Sequence, residues 1–300
     1  MTTNKQAPTT IPSMTVGDCI VRTEVFRLAD GRRLAWSEFG VPTGRALIHC
    51  HGNPSSRLEG LVLHNAARSG VRVIVPDRPG FGRSDPQLGR SLSDWARDIA
   101  ALADHLGIHR FAISGTSSGG PHALACAAHL GDRVRVVIPV NASPEVQNPL
   151  MRDLPWRTQL LLWFAASPTL AGVGFAAMAK NPRKLVEGRL VGAEDRQFLR
   201  DEHLIDSFVA TLTEGLRQGS AMAKQEVALV FTKRWNIKWR AITQPVYIFQ
   251  GSKDPSLPFY QRVVREFPHA QLREFNGTHI TALADRVWRA VIPIVHAAAS

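Results

Sequence analysis

Three observations predict an α/β fold built on a mostly parallel sheet. Short runs rich in Val and Ile alternate with helical stretches through the first half, and a glycine-rich turn joins one of those runs to a helix. The strand pattern then resumes near the end, after an interval that is helical only. At 300 residues, 44% of them hydrophobic, the chain can bury a substantial core.

The opening MTTNKQAPTTIPSMTVGD is polar, interrupted by prolines and lacks the basic-then-apolar order of a signal peptide. Residues 1–22 are therefore expected to form a flexible tail. In TEVFRLADGRRLAWSEFG, Asp30-Gly31 separates two strand-like runs, which predicts an antiparallel hairpin. ALIHC (46–50), VRVIVPD (71–77), RFAISG (110–115) and VRVVIPV (134–140) read as buried parallel strands. The helices between them are SLSDWARDIAALADHLG, capped by Ser91 or Ser93, and PHALACAAHLG, which ends on a glycine.

From Ser143 to about Phe231 the pattern is helical, as in EDRQFLRDEHLIDSFVATLTEGLRQG. Strands resume at PVYIFQG (245–251) and QLREFNG (271–277). The simplest organisation is one core of residues 23–143 and 233–300, interrupted by a helical cap at 144–232. Within the cap, LLLWFAASPTLAGVGFAAMA (160–179) is uncharged and long enough to cross a bilayer. Its Ser-Pro pair and two glycines suit two short apolar helices better than one spanning helix.

The formal charge is +11, but the basic residues are scattered, with no dense run or nucleic-acid motif. A solvated basic surface and no nucleic-acid partner are expected. Cys19, Cys50 and Cys126 are odd in number, far apart and without a CxxC pair, which argues against a disulfide framework or zinc site and for a reducing cytoplasm.

The turn SGTSSGG (114–120) sits between a strand and a helix, the context of a G-x-S-x-G nucleophile elbow. Only Ser117 has glycine at both minus two and plus two, Gly115 and Gly119. Glycines there leave room where strand and helix converge around a strained serine. On its own the motif is equally a glycine-rich turn with incidental serines.

It is accompanied, in order, by HGNP (51–54), DRPGFGRSD (77–85), QGSKDPSLP (250–258) and NGTHI (276–280). With these the sequence resembles the α/β-hydrolase fold superfamily from about residue 23 to the end. The resemblance implies a central sheet flanked by helices, an inserted helical cap and an esterase-like serine hydrolase. It implies Ser117 as nucleophile, His279 as base and Asp254 as the acid that orients it, with Glu145 or Asn141 as the alternative third member. It also implies an oxyanion hole from the backbone N–H groups of Asn53 and Ser118. Read singly, Asp254 also suits a turn with Pro255, and His279 a helix start. His51 reads as structural, and His49, His122 and His129 as core or surface residues.

HGNPSS resembles the corresponding loop of haloalkane dehalogenases, but those enzymes use an aspartate nucleophile, and an alkyl group on Ser117 would be an ether that does not come off. Epoxide hydrolases of this fold need that aspartate and cap tyrosines, whereas Tyr247 and Tyr260 lie outside the cap. A Ser-His-Asp set suits cleavage of a carboxylic ester, thioester or lactone of a small to medium hydrophobic substrate through an acyl-enzyme.

The alternatives are a proline iminopeptidase-like activity using Glu145, Asp153, Glu187 or Asp206, a C–C bond hydrolase, a hydroxynitrile lyase or perhydrolase, and a catalytically slow ligand-binding protein. Trp156, Trp163, Phe164, Phe175 and Met178 are expected either to line the substrate pocket or to pack the cap on the core. No metal or organic cofactor and no membrane partner is expected, and the chain is expected to be a monomer or homodimer.

Overall fold

A computed structural model describes residues 9–16, 19–67, 70–188, 191–201 and 203–298. The strands β1 (Thr9–Val16), β2 (Cys19–Arg27), β3 (Arg33–Gly40), β4 (Arg45–Cys50), β5 (Val71–Pro76), β6 (Phe111–Thr116), β7 (Val134–Val140), β8 (Val246–Gly251) and β9 (Ala270–Phe275) form one sheet. Their order is β1-β2-β3-β5-β4-β6-β7-β8-β9. The first three strands are antiparallel and β3 joins β5 antiparallel; every later pairing is parallel. The hairpin at Asp30-Gly31 is the β2–β3 connection, with Gly31 at φ +85°.

Side-chain alternation along the strands divides the core in two. Leu47, Val73, Val136 and Ile138 pack on one face, under α1 (Gly60–Ala67) and the C-terminal helix. Ile48, Ile74, Ile113 and Val137 pack on the other, under α2 (Leu92–His105) and α3 (Gly119–Leu130). Of the two candidate caps on α2, Ser91 is the one used: its Oγ accepts from the Asp94 N–H, and the Asp94 carboxylate accepts from the Ser91 N–H.

The expectation of a flexible tail over residues 1–22 is corrected. Thr9–Val16 pairs with β2 as the sheet's edge strand, and residues 19–22 belong to β2; residues 1–8 lie outside the described residues. Pro12, one of the prolines that suggested a tail, fits an edge. It sits where the register slips between Ile11 and Met14, and an edge strand tolerates a residue without an N–H.

Between β7 and β8 the chain forms α4 (Trp156–Ala165), α5 (Pro168–Lys180), α6 (Pro182–Glu187), α7 (Ala193–Asp201), α8 (Ile205–Gly215) and α9 (Ala221–Val227); α10 (Leu257–Val263) and α11 (Asp285–Ala297) follow in the core. The apolar stretch 160–179 is divided at Ser167-Pro168, where Ser167 caps α5 by accepting from the Leu170 N–H and Pro168 begins the helix. Among the described residues no helix is long and apolar enough to cross a membrane.

Buried ion pairs hold this helical interval to the sheet. Arg57 Nη1 lies 2.9 Å from Asp77 and 2.8 Å from Glu214 of α8. Glu226 of α9 lies 3.1 Å from Arg78 and pairs with Arg90.

Candidate active site

From β4 the chain crosses to β5 on one side, while β6 lies on the other, so the crevice for a ligand opens at the carboxyl ends of β4 and β6. Ser117 follows β6 directly and is held at φ +53°, a left-handed conformation that costs a non-glycine residue of order 1 kcal/mol. Its N–H donates to Val140 O, and its carbonyl accepts from the N–H groups of Gly120 and Ser143, so the surrounding backbone fixes the strained residue. The flanking glycines are steric requirements. A Cβ on Gly119 would sit 1.9 Å from Cys50 O, and one on Gly115 would sit 2.2 Å from Gly119 O.

His279 and Asp254 follow β9 and β8. His279 Nε2 lies 2.9 Å from Ser117 Oγ, and Nδ1 lies 2.6 Å from Asp254 Oδ2. Asp254 is buried, and its Oδ1 accepts from the Ser256 N–H at 2.7 Å and from Gln250 Nε2 at 3.1 Å. Burial acts to raise the Asp254 pKa, but the facing His279 and the Ser256 amide outweigh it and hold the carboxyl below its ordinary value. Burial likewise disfavours the charged His279 ring, but Asp254 outweighs it and the pKa rises above the ordinary 6.5. With Asp254 ionised, Nδ1 carries the ring proton and Nε2 is free to take one from Ser117.

Neither alternative third member bonds to this ring. Glu145 accepts from the Trp235 N–H and from Asn148 Nδ2. Asn141 accepts from the Gly251 N–H and donates to the carbonyls of Thr278 and His279, joining the end of β8 to the histidine loop. Sequence reading did not assign Asn141 that bridging place.

Asn53 and Ser117 line a common cavity. Among the described residues neither the Asn53 nor the Ser118 amide N–H has a protein acceptor. The Asn53 side chain is occupied elsewhere, donating to Ala223 O at 3.0 Å. His51 is buried and bonds Gly52 O of its own loop and the Arg78 N–H of the segment after β5. His122 is buried on α3 near Glu226, and His129 bonds Ala125 O within that helix.

The cavity beside Ser117 and His279 measures about 200 Å³. Its walls are mainly aliphatic, including Met178, Val186, Leu212, Ile280 and Leu283. The expected lining is thus corrected. Met178 faces the cavity, whereas Phe175 packs against Phe81, Leu216 and Ala223 beside it. Trp156 and Trp163 are 68% and 65% exposed and border a surface groove with Arg152, Leu160 and Arg234. The side chain of Phe164 lies outside the described residues. A run without charges carries no polar face to show which side turns inward. Of this stretch Met178 of α5, a helix packed on α9, reaches the cavity wall, and the other helices between β7 and β8 that line it are α6 and α8.

Over 142 residues the chain is 31% identical to haloalkane dehalogenase 2 of Mycobacterium bovis, covering 47% of this chain and 43% of that protein. The match therefore spans less than half the length of that relative. Over 214 residues it is 27% identical to the 2-hydroxymuconate semialdehyde hydrolase of Pseudomonas putida, covering 68% of this chain and 69% of the other. A carboxylesterase structure from Nitrososphaera gargenis superposes with a TM-score of 0.69 at 20% identity, over 92% of this chain and 98% of that one; this likeness shows the fold alone. The sequence pattern of the alpha/beta hydrolase fold matches residues 45–284, and the chain belongs to that family.

Proposed function

We propose that the protein is a serine hydrolase that cleaves small, uncharged carboxylic esters or lactones through an acyl-enzyme on Ser117. The observation that carries this reading is the continuous relay from Ser117 Oγ through His279 to buried Asp254, opening on an apolar cavity. His279 takes the Ser117 proton as Oγ attacks the acyl carbonyl, then gives it to the leaving oxygen. The Asn53 and Ser118 amides receive the oxyanion, and water repeats the sequence to release the acid. Helices α4–α9 act as the cap, supplying Met178, Leu185, Val186, Phe208 and Leu212 to the wall. Two buried free thiols, Cys50 and Cys126, fit a reducing cytoplasm.

The cavity's charge and size favour this chemistry over its neighbours. Among the described residues no Lys or Arg lines it, and Glu59 does, so an anionic substrate meets repulsion from that carboxylate. A free amine would need open acids on the cap. Glu187 and Asp206 instead pair with Arg183 at the surface, and Glu145 is bound to Trp235 and Asn148. Dehalogenation lacks its carboxylate nucleophile, and the Asn53 amide that would face a halide is turned to Ala223.

The test is a panel of nitrophenyl esters. Acetate to butyrate esters are expected to exceed the octanoate in kcat/KM by roughly tenfold or more, since a small pocket discriminates strongly between chain lengths. Hemisuccinate and aminoacyl esters are expected to be poor. Preference for a charged acyl group would overturn the proposed substrate class.

The same relay sets a pH dependence. The base must be neutral, so kcat/KM is expected to fall as pH drops through the raised pKa of His279, above 6.5. The stability contribution of the raised His279 pKa runs the other way. It is fully present below 6.5 and lost as pH rises through the raised value, because the folded state holds the proton more tightly than the unfolded one. An acid limb centred below 6.5 in a pH profile of kcat/KM counts against His279 as the base.

A further inference from the structure

Among the described residues Glu59 is the one acid lining the cavity, and the relay leaves it without a part. Its Oε1 lies 3.0 Å from His49 Nε2, while Oε2 accepts from the Gly52 N–H at 2.9 Å and from Ser55 Oγ at 2.5 Å. The other His49 nitrogen lies 2.9 Å from Ser114 Oγ, and both His49 and Ser114 are completely buried. Burial opposes ionisation of Glu59, but its donors, led by His49, hold its pKa below the ordinary value. An ionised carboxylate only accepts, so His49 donates to it from Nε2. This second Ser-His-Glu chain is sealed from the cavity at its serine end and cannot present a nucleophile.

What it can do follows from peptide planarity. Gly52 N–H shares a plane with the His51 carbonyl, and Asn53 N–H shares the next plane with the Gly52 carbonyl. Arg78 Nη1 binds His51 O, and Arg78 Nη2 binds Gly52 O at 2.9 Å. The first plane is therefore gripped at both ends, by Glu59 on its N–H and Arg78 on its C=O. The second is gripped at its C=O, which turns the Asn53 N–H away from Arg78. Ser55, bonded to Glu59 and 3.0 Å from Thr211 Oγ1 of α8, fixes the far side of the loop.

We infer that Glu59 is a positioning residue for the oxyanion loop, clamping residues 52–55 opposite Arg78 so that the Asn53 amide is preorganised toward Ser117. The inference rests on the serine-hydrolase reading, and the experiment separates the two.

Wild type and E59Q are compared for labelling of Ser117 by a fluorophosphonate, for kcat and KM on a short nitrophenyl ester, and for affinity toward an alkylboronic acid that forms a tetrahedral anion on serine. In E59Q one of the two acceptor oxygens becomes an NH2 and the charge is lost, so either the Gly52 and Ser55 side or the His49 side loses its acceptor. The expected result is a fall in kcat of about a hundredfold per folded active site, with KM nearly unchanged and boronate affinity weakened in parallel. A purely structural role would reduce folded protein and melting temperature but leave kcat per site and boronate affinity unmoved, and that result overturns the inference. If E59Q does not fold, S55A decides. It removes one donor from Oε2 and keeps the charge, so a clear loss in kcat at constant KM supports the clamp and an unchanged kcat overturns it. Failure of wild type to label at Ser117 sinks the hydrolase reading itself, whatever the Glu59 variant does.

Discussion

Ser117→Ala is expected to lower kcat on a short nitrophenyl ester by about 10⁵- to 10⁶-fold while leaving the fold intact. Removing the nucleophile of a relay costs nearly as much as removing the whole relay, because His279 and Asp254 have no other proton to move. Residual turnover is expected to exceed the uncatalysed rate, since the oxyanion amides and the apolar cavity still hold the ester. The backbone at φ +53° separates chemistry from stability. Alanine keeps a Cβ and hence the strain, so its melting temperature should stay near wild type. Ser117→Gly relieves the strain and should be equally inactive yet more stable, by about 1 kcal/mol. A Ser117→Ala enzyme retaining more than a few per cent of wild-type kcat would point to a different nucleophile.

The parts that were legible in the sequence are those that local pattern determines. ALIHC, VRVIVPD, RFAISG, VRVVIPV and PVYIFQG all lie on strands because burial on both faces leaves continuous apolar runs. The elbow was legible because its glycines answer a steric demand within five residues. The edge strand β1 was not, since an edge needs neither an apolar run nor every N–H, and a polar Pro-containing stretch looks the same as a tail.

The contacts that position the site were not legible either, because they pair residues far apart in the chain. Glu59 with Gly52 lay within reach of local reading, as an acid close behind the HGNP turn. Arg57 with Glu214 and Arg78 with Glu226 join the core to helices about 150 residues later, and no periodicity signals them. Trp156 and Trp163 misled for a related reason: aromatic character marks a residue as costly to expose without saying which neighbour covers it.

Glu226→Ala is expected to destabilise the protein by about 3–5 kcal/mol, lowering the melting temperature by roughly 10 °C. Glu226 is 1% exposed and meets Arg78, Arg90 and His122, all buried. Burial opposes its charge, yet the two arginines outweigh it and hold its pKa at about 2. Burial with Arg78 and Arg90 presses His122 down to about 3, and burial with Arg78 presses His51 well below 6.5, so both rings stay neutral. Among the described residues Glu226 is the one carboxylate within salt-bridge distance of either guanidinium group. Removing it strands two buried cations. Glu214→Ala provides the comparison. Arg57 would keep Asp77 at 2.9 Å, so that loss should be the smaller one.

The pH dependence has a worked sign. The unfolded state binds protons on His51 and His122 below about 6.5 that the folded state refuses, so stability falls as pH drops from 6.5. The Glu226 contribution is complete above its ordinary 4.5 and is lost only toward about 2. Because Arg78 also grips the carbonyls of His51 and Gly52, a Glu226→Ala protein that folds should show impaired kcat along with its lower melting temperature. Urea unfolding and kcat measured on the same preparations check both. A Glu226→Ala protein as stable as wild type would show that Arg78 and Arg90 reach solvent or another anion, and the contacts that hold the helical interval would have to be sought among the Arg57 ion pairs instead.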